Sequence, residues 1–163
     1  TIVSALVPPE TVLTNKAPYF LWPRGDERDE AYLLGVTSSI PFDWYARRFV
    51  ELGVNYHILN ALPVPRPGRG APLRRRVVEL AGRLAAVDDR YGEWAAAVGV
   101  DCGPLDDATR RESIHELDAV VTHLYGLTRE HLEVVFDTFR EDDSLAERRD
   151  AVLAWYDEWC ERE

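Results

Sequence analysis

With 163 residues, 46% of them apolar or aromatic, and five Trp, seven Tyr and five Phe, the chain can bury a core, which excludes a disordered segment. It has no uninterrupted run of 18 apolar residues, and the opening TIVSALVPPE lacks a basic start and a cleavage pattern, which argues against a membrane span and a secretory signal. The net charge of −10 is unevenly placed: residues 1–90 hold 12 basic and 10 acidic side chains, residues 91–163 hold 7 and 19, so contact with a polyanion is expected only from the first half.

Ile2–Val7 and Ala17–Trp22 read as short strands, rich in β-branched and aromatic residues and bordered by proline. Opening on a strand, the chain reads as the end of something longer. Asp29–Val36 reads as a helix, interrupted by Thr37-Ser38-Ser39. Pro41 then suits the first turn of a second helix, Phe42–Val50, with Phe42, Tyr45 and Phe49 on one side. Asn55–Leu62 is a short apolar connector, and Leu62-Pro63-Val64-Pro65 must run extended. RPGRGAP, residues 66–72, reads as a hinge. Beyond it Leu73, Val77, Leu80, Leu84, Val87, Tyr91, Trp94 and Val98 alternate spacings of 4 and 3, which predicts one long heptad helix, weakened at Gly82 and Gly92. A turn at Gly103-Pro104 precedes three helices. The first, Asp107–Tyr125, carries capping-box spacing at Thr109 and Glu112 and ends at Gly126; the second starts at Thr128; the third follows Ser144 and Glu147. The expected fold is α+β and predominantly helical: short N-terminal strands, a long heptad helix and a small helical bundle. Its parts are 1–65, a hinge at 66–72, and a helical spacer over 73–163.

Several chemistries lack their residues. Cys102 and Cys160 form no CxxC or Cys/His cluster, so neither zinc nor a disulfide framework is expected, which fits a cytoplasmic protein. Eighteen of the 19 basic residues are Arg, a skew that suits a GC-rich bacterial source. Gly68-Arg69-Gly70 follows prolines and not a strand, so it is no phosphate loop. The one lysine, Lys16, lacks the neighbouring acids of a metal-dependent nuclease, and no serine sits in a nucleophile elbow. His115, His123 and His131 recur every eight residues without a further ligand type, as histidines on helix surfaces do.

The stretch Ala31–Pro65 resembles the end of the target-recognition domain of adenine-N6 DNA methyltransferases, especially fused type IIG restriction–modification proteins and related phage-defence methylases. Leu33, Leu34, Ser38, Ser39, Phe42, Asp43, Trp44, Tyr45, Arg47, Arg48, Asn55, Leu62, Pro63 and Pro65 carry it. TNKAPYFLWP (14–23) resembles the preceding strand and Glu116–Phe139 the helical tail, while Thr37 departs from a usual asparagine. The resemblance implies a parent that methylates adenine with S-adenosylmethionine held in an upstream catalytic domain. This chain has neither a glycine-rich cofactor turn nor the Asn/Asp-Pro-Pro-aromatic motif that holds a flipped adenine; Val7-Pro8-Pro9-Glu10 only mimics it. The chain alone is therefore expected to hold no cofactor, no metal and no catalytic residue.

What remains is contact with double-stranded DNA. Arg47 and Arg48 can fork to guanine or bind phosphate. Asn55 and Asn60 can read adenine edges or cap local backbone, and Lys16 and Arg24 flank the second strand. Arg66, Arg69, Arg74, Arg75 and Arg76 are candidate phosphate contacts; cations at a helix start are unfavourable and call for a partner. The competing reading pairs Arg47 and Arg48 with Asp43 and Glu51 on a solvated face. Separately, a rival function makes the chain a protein–protein module whose heptad helix and acidic tail dock a nuclease, a translocase or a second copy without DNA contact. One basic groove of Lys16, Arg24, Arg47 and Arg48 suits the first reading; scattered cations and an exposed seam suit the second.

Overall fold

The computed structural model describes residues 2–14, 17–20, 24–50, 53–139 and 143–162, without the side chains of 143 and 144. Among the described residues the protein is helical: α1 (Glu27–Thr37), α2 (Ile40–Ala46), α3 (Tyr56–Ala61), α4 (Pro72–Ala85), a 3₁₀ turn (Asp89–Tyr91), α5 (Gly92–Val98), α6 (Asp107–Leu124), α7 (Arg129–Asp137) and α8 (Asp143–Cys160). No strand forms among them, which corrects the α+β expectation. Ile2–Val7 alternates in exposure, with Ile2, Ser4 and Leu6 partly buried and Val3, Ala5 and Val7 exposed. It lies against helices, so the period of two is present and the partner strand is not. Of the second predicted strand, Leu21 and Trp22 lie outside the described residues.

Helix starts follow local chemistry. Asp26 and Asp29 form a capping box at α1, where Glu27, Asp29 and Glu30 complement the helix dipole. Pro41 and Pro72 sit in the first turns of α2 and α4. Thr128 caps α7 together with His131. The α6 cap is Asp106 instead of the predicted Thr109, because its carboxylate accepts from the N–H groups of both Ala108 and Thr109. The side chain of Ser144 lies outside the described residues.

The predicted heptad helix is two helices. Asp88 accepts from the backbone N–H of Arg90 and opens the 3₁₀ turn, and the Ala86 carbonyl accepts from Gly103 N–H at 2.8 Å. Arg83 closes the end of α4 by donating to the Gly103 carbonyl at 2.6 Å. The chain folds back so that α5 lies on α4. Gly82 makes this approach close, since a Cβ there would meet Val98 Cγ1 at 2.8 Å. Val77, Leu80, Tyr91 and Val98 are buried, Leu73, Leu84 and Trp94 half-buried, and Val87 exposed. The seam thus closes on this chain's own helices.

α4 packs against α1 on one side and α6 on the other, and α6 also carries α8, with α7 beside it. One buried cluster joins Ala31, Val36 and Phe42 to Val77, Val120, Val121 and Trp159, so residues on both sides of 66–72 share a core. A second gathers Ile40, Leu132, Phe136, Val152 and Tyr156 between α2, α7 and α8. Tyr32 and Tyr125 hydroxyls donate to the Pro65 and Pro63 carbonyls at 2.9 and 2.7 Å and hold the proline-rich segment. Burial pushes the Tyr32 phenol up to about 12. No helix among the described residues is long and apolar enough to cross a membrane.

Candidate functional site

α2 is held by its neighbours at both ends. Its cap residue, Ser39, makes no side-chain bond to the helix. The Ile40 N–H instead donates to Asp118 of α6 at 2.8 Å. Asp118 is 1% exposed and also accepts from Arg148 Nε and Nη2 at 2.9 and 2.6 Å. Burial raises its pKa, opposed by Arg148 and the Ile40 N–H. Two residues before it, Glu116 takes a fork from Arg76 at 2.8 and 2.6 Å and a bond from Trp159 Nε1 at 3.2 Å. Both carboxylates lie on the buried part of α6, where an apolar periodicity gives no warning of them. Acids flanking Leu117 were the only available signal.

The C-terminal end of α2 presents Arg47 and Arg48, both exposed. Arg47 lies 4.4 Å over the ring of Phe139 and Arg48 4.4 Å over Trp44. Trp44 is itself tied to Thr138 by a 2.8 Å bond from its indole N–H. Among the described residues neither arginine has a carboxylate partner. Asp43 accepts from the Ile2 N–H at 2.7 Å, and Glu51 lies outside the described residues. Tyr45 and Phe49 are 39% and 50% exposed beside the pair, with ring centroids 5.2 Å apart. Phe139 also floors an open depression of about 340 Å³, lined by Phe136, Leu145 and the ion pair Arg149–Asp137. α2 ends at Ala46, earlier than the predicted Val50, which frees Phe49 from the buried face.

Lys16 is outside the described residues. Arg24 is exposed ahead of the α1 cap. The Asn55 side chain accepts from Ile58 N–H at 3.0 Å and caps α3, a helix where a connector was expected; Asn60 is exposed on α3. Three of the five arginines from the 66–76 run have structural partners. Arg69 bonds Asp26 at 2.7 Å and also Asp29. Arg74 bonds Asp29 at 2.5 Å and covers the Tyr32 ring, and Arg76 holds Glu116. These acids are the partners that cations at the start of α4 require. Arg66 and Arg75 remain exposed.

No family model, curated protein or solved structure matches the chain. The chemistry of the surface therefore rests on its own geometry.

No group of three or more His, Cys, Asp or Glu among the described residues is arranged to hold a metal ion. The recurring histidines serve different ends. His123 stacks on Tyr156 at 4.1 Å, His131 accepts from the Thr128 N–H, and His115 is half-buried with its pKa lowered by burial and then by Arg148. The α2 end offers two guanidinium groups whose faces rest on aromatic rings and whose N–H groups, among the described residues, meet no carboxylate. Such an arrangement suits phosphate, a base edge or an acidic protein surface.

Proposed function

We propose that this chain is a DNA-recognition and helical-spacer segment of a site-specific adenine-N6 DNA methyltransferase of the restriction–modification or phage-defence type, and that it is non-catalytic by itself. In this reading the end of α2 touches double-stranded DNA through Arg47 and Arg48, and the remaining helices set that contact at a fixed distance from the upstream catalytic domain, which binds S-adenosylmethionine. The observation that carries it is the pair of exposed arginines, stacked on Phe139 and Trp44 and, among the described residues, without carboxylate partners, in the half of the chain whose charge is +2 by the counts above. The resemblance over Ala31–Pro65 supplies the type of parent, by analogy. Arg69, Arg74 and Arg76, three of the candidate phosphate contacts, are engaged with Asp26, Asp29 and Glu116, so the reading rests on Arg47 and Arg48.

The reading is tested by fluorescence anisotropy of a labelled duplex against salt. Weak binding whose affinity falls with salt on a shallow slope, near two phosphates neutralised, is expected. Affinity independent of salt, or methyl transfer by the chain alone, counts against it.

A protein–protein reading keeps one specific support: the exposed Tyr45 and Phe49 beside the two arginines are residue types that anchor protein interfaces, on a chain of net charge −10. An exposed heptad seam would favour it further, and that seam is largely packed within the chain.

A further inference from the structure

Arg47 and Arg48 follow the end of α2, and the rings they rest on are both tied to the end of α7. Trp44 and Phe139 are half-buried and pack against the second apolar cluster. The indole N–H of Trp44 donates to the Thr138 hydroxyl oxygen at 2.8 Å, and that hydroxyl donates to the Val135 carbonyl at 2.8 Å. A hydroxyl is needed at this point, because the bridging atom must accept from an N–H and donate to a carbonyl. Thr138 ends α7, and the N–H of the next residue, Phe139, donates to the Phe136 carbonyl at 3.0 Å. The indole so held carries the Arg48 guanidinium, and the Phe139 ring carries that of Arg47. The bond from Trp44 to Thr138 is exposed. Water satisfies an exposed indole N–H almost as well, so this bond contributes orientation more than stability.

We infer that the C-terminal turn of α7 fixes the two arginines before any ligand arrives: Thr138 is a positioning residue for Arg48, acting through Trp44, and Phe139 is one for Arg47. A free arginine loses much rotamer freedom when it grips a ligand. A guanidinium already laid on a ring gives up less, and its in-plane N–H groups stay open to phosphate or base oxygen atoms. A carboxylate would fix the orientation as well, but it would occupy those N–H groups and cancel the charge, as Asp29 does for Arg74. Among the described residues the rings hold both cations and no carboxylate neutralises either. That these cations receive DNA rests on the proposed function, whereas their fixing by α7 rests on contacts within the free chain.

The experiment compares the 163-residue chain as wild type, Thr138→Val, Thr138→Ser, Phe139→Leu and Phe139→Tyr. Valine keeps the shape of threonine without its hydroxyl, and leucine keeps apolar bulk without the ring. The Nε–H signals of Arg47 and Arg48 are followed by NMR relaxation in the free chain, and affinity for a labelled duplex by anisotropy against salt. Thr138→Val is expected to lower the order of the Arg48 Nε–H and spare that of Arg47, and Phe139→Leu to do the reverse. Each of these two lowers duplex affinity about two- to tenfold at an unchanged salt slope, because the same phosphates are met. Thr138→Ser returns the hydroxyl and Phe139→Tyr the ring, and both recover wild-type order and affinity. Order unchanged at both arginines in Thr138→Val and Phe139→Leu, or lost equally at both in each, overturns the inference, even for a chain that binds duplex with the expected salt slope. Selective loss of order in a chain that binds no DNA supports the positioning and removes the DNA reading.

Discussion

Asp118→Ala is the most informative perturbation of the fold around α2. The carboxylate is buried and makes three bonds, one from the Ile40 N–H and two from Arg148. Removing it leaves the Ile40 N–H without an acceptor in a buried place, which costs about 1–3 kcal/mol. Arg148 also loses its partner, and breaking a buried ion pair from one side costs about 3–5 kcal/mol in all. The Arg148 side chain is 32% exposed, so water recovers part of that loss, and a total near 3 kcal/mol is expected. For a chain of this size that lowers the melting temperature by about 6–12 °C. Asp118→Asn keeps an acceptor for Ile40 and is expected to cost about half as much. Replacing both partners with apolar residues, Asp118→Leu with Arg148→Met, is expected to regain most of the stability, because neither a charge nor its partner is then stranded. Urea unfolding with an unchanged m-value measures all three, and hydrogen exchange at Ile40–Asp43 reports whether α2 has loosened. A cost under about 1 kcal/mol for Asp118→Ala, with protection at Ile40 unchanged, would refute the reasoning.

Leu80→Ala is expected to cost about 2–5 kcal/mol in urea unfolding, and Leu84→Ala less, since Leu80 is buried and Leu84 half-buried; equal small losses would deny the packed seam. Gly35→Ala places a Cβ 2.6 Å from Val77 Cγ1 and 2.9 Å from Ala81 Cβ, so overpacking of about 1–3 kcal/mol outweighs the helix-propensity gain of about 1 kcal/mol. Gly92→Ala meets nothing within 4 Å and is expected to be neutral or stabilising on the same melting curves. Acid should unfold the helix starts. Asp26, Asp88 and Asp106 are held below their ordinary value of 3.8, chiefly by the Asp29 backbone N–H, the Arg90 side chain and the Thr109 backbone N–H respectively. Their contribution is full above that value and is lost as the pH falls through the lower folded values. Melting temperatures from pH 5 to 2 should therefore fall below pH 3.8, and Asp106→Asn should flatten the curve.

Much of the helical order is legible where the signal is local. Pro41, Pro72 and Thr128 mark starts that their own neighbours enforce, and Gly126 follows the end of α6 with φ of +65°. Signals that depend on distant residues are silent in the sequence. The 4–3 spacing runs straight through Asp88 and Asp89, yet Asp88 opens a turn that contacts near Gly103 hold in place. Ile2–Val7 has strand chemistry and alternating exposure, but a strand is defined by a partner, and among the described residues its anchors are Asp43, Thr37 and Tyr91 of the helical body. The arginine run looks like one basic patch until Asp26, Asp29 and Glu116, some forty residues away in either direction, take three of its members. Arg47 and Arg48 are the converse case. Asp43 is close in sequence, but its carboxylate is engaged with Ile2, and the two arginines rest on rings instead.

The central claim is that the α2 end is the DNA-contacting surface. Its most direct measurement is salt-titrated binding of a labelled DNA duplex by Arg47→Ala/Arg48→Ala and by Arg110→Ala/Arg111→Ala, exposed arginines in the acidic half. The account predicts that the first pair loses affinity at least tenfold, with a salt slope reduced by about two and a melting temperature lowered only slightly by the lost ring contacts, while the second pair binds like the wild type. Equal binding by the two double variants would contradict it.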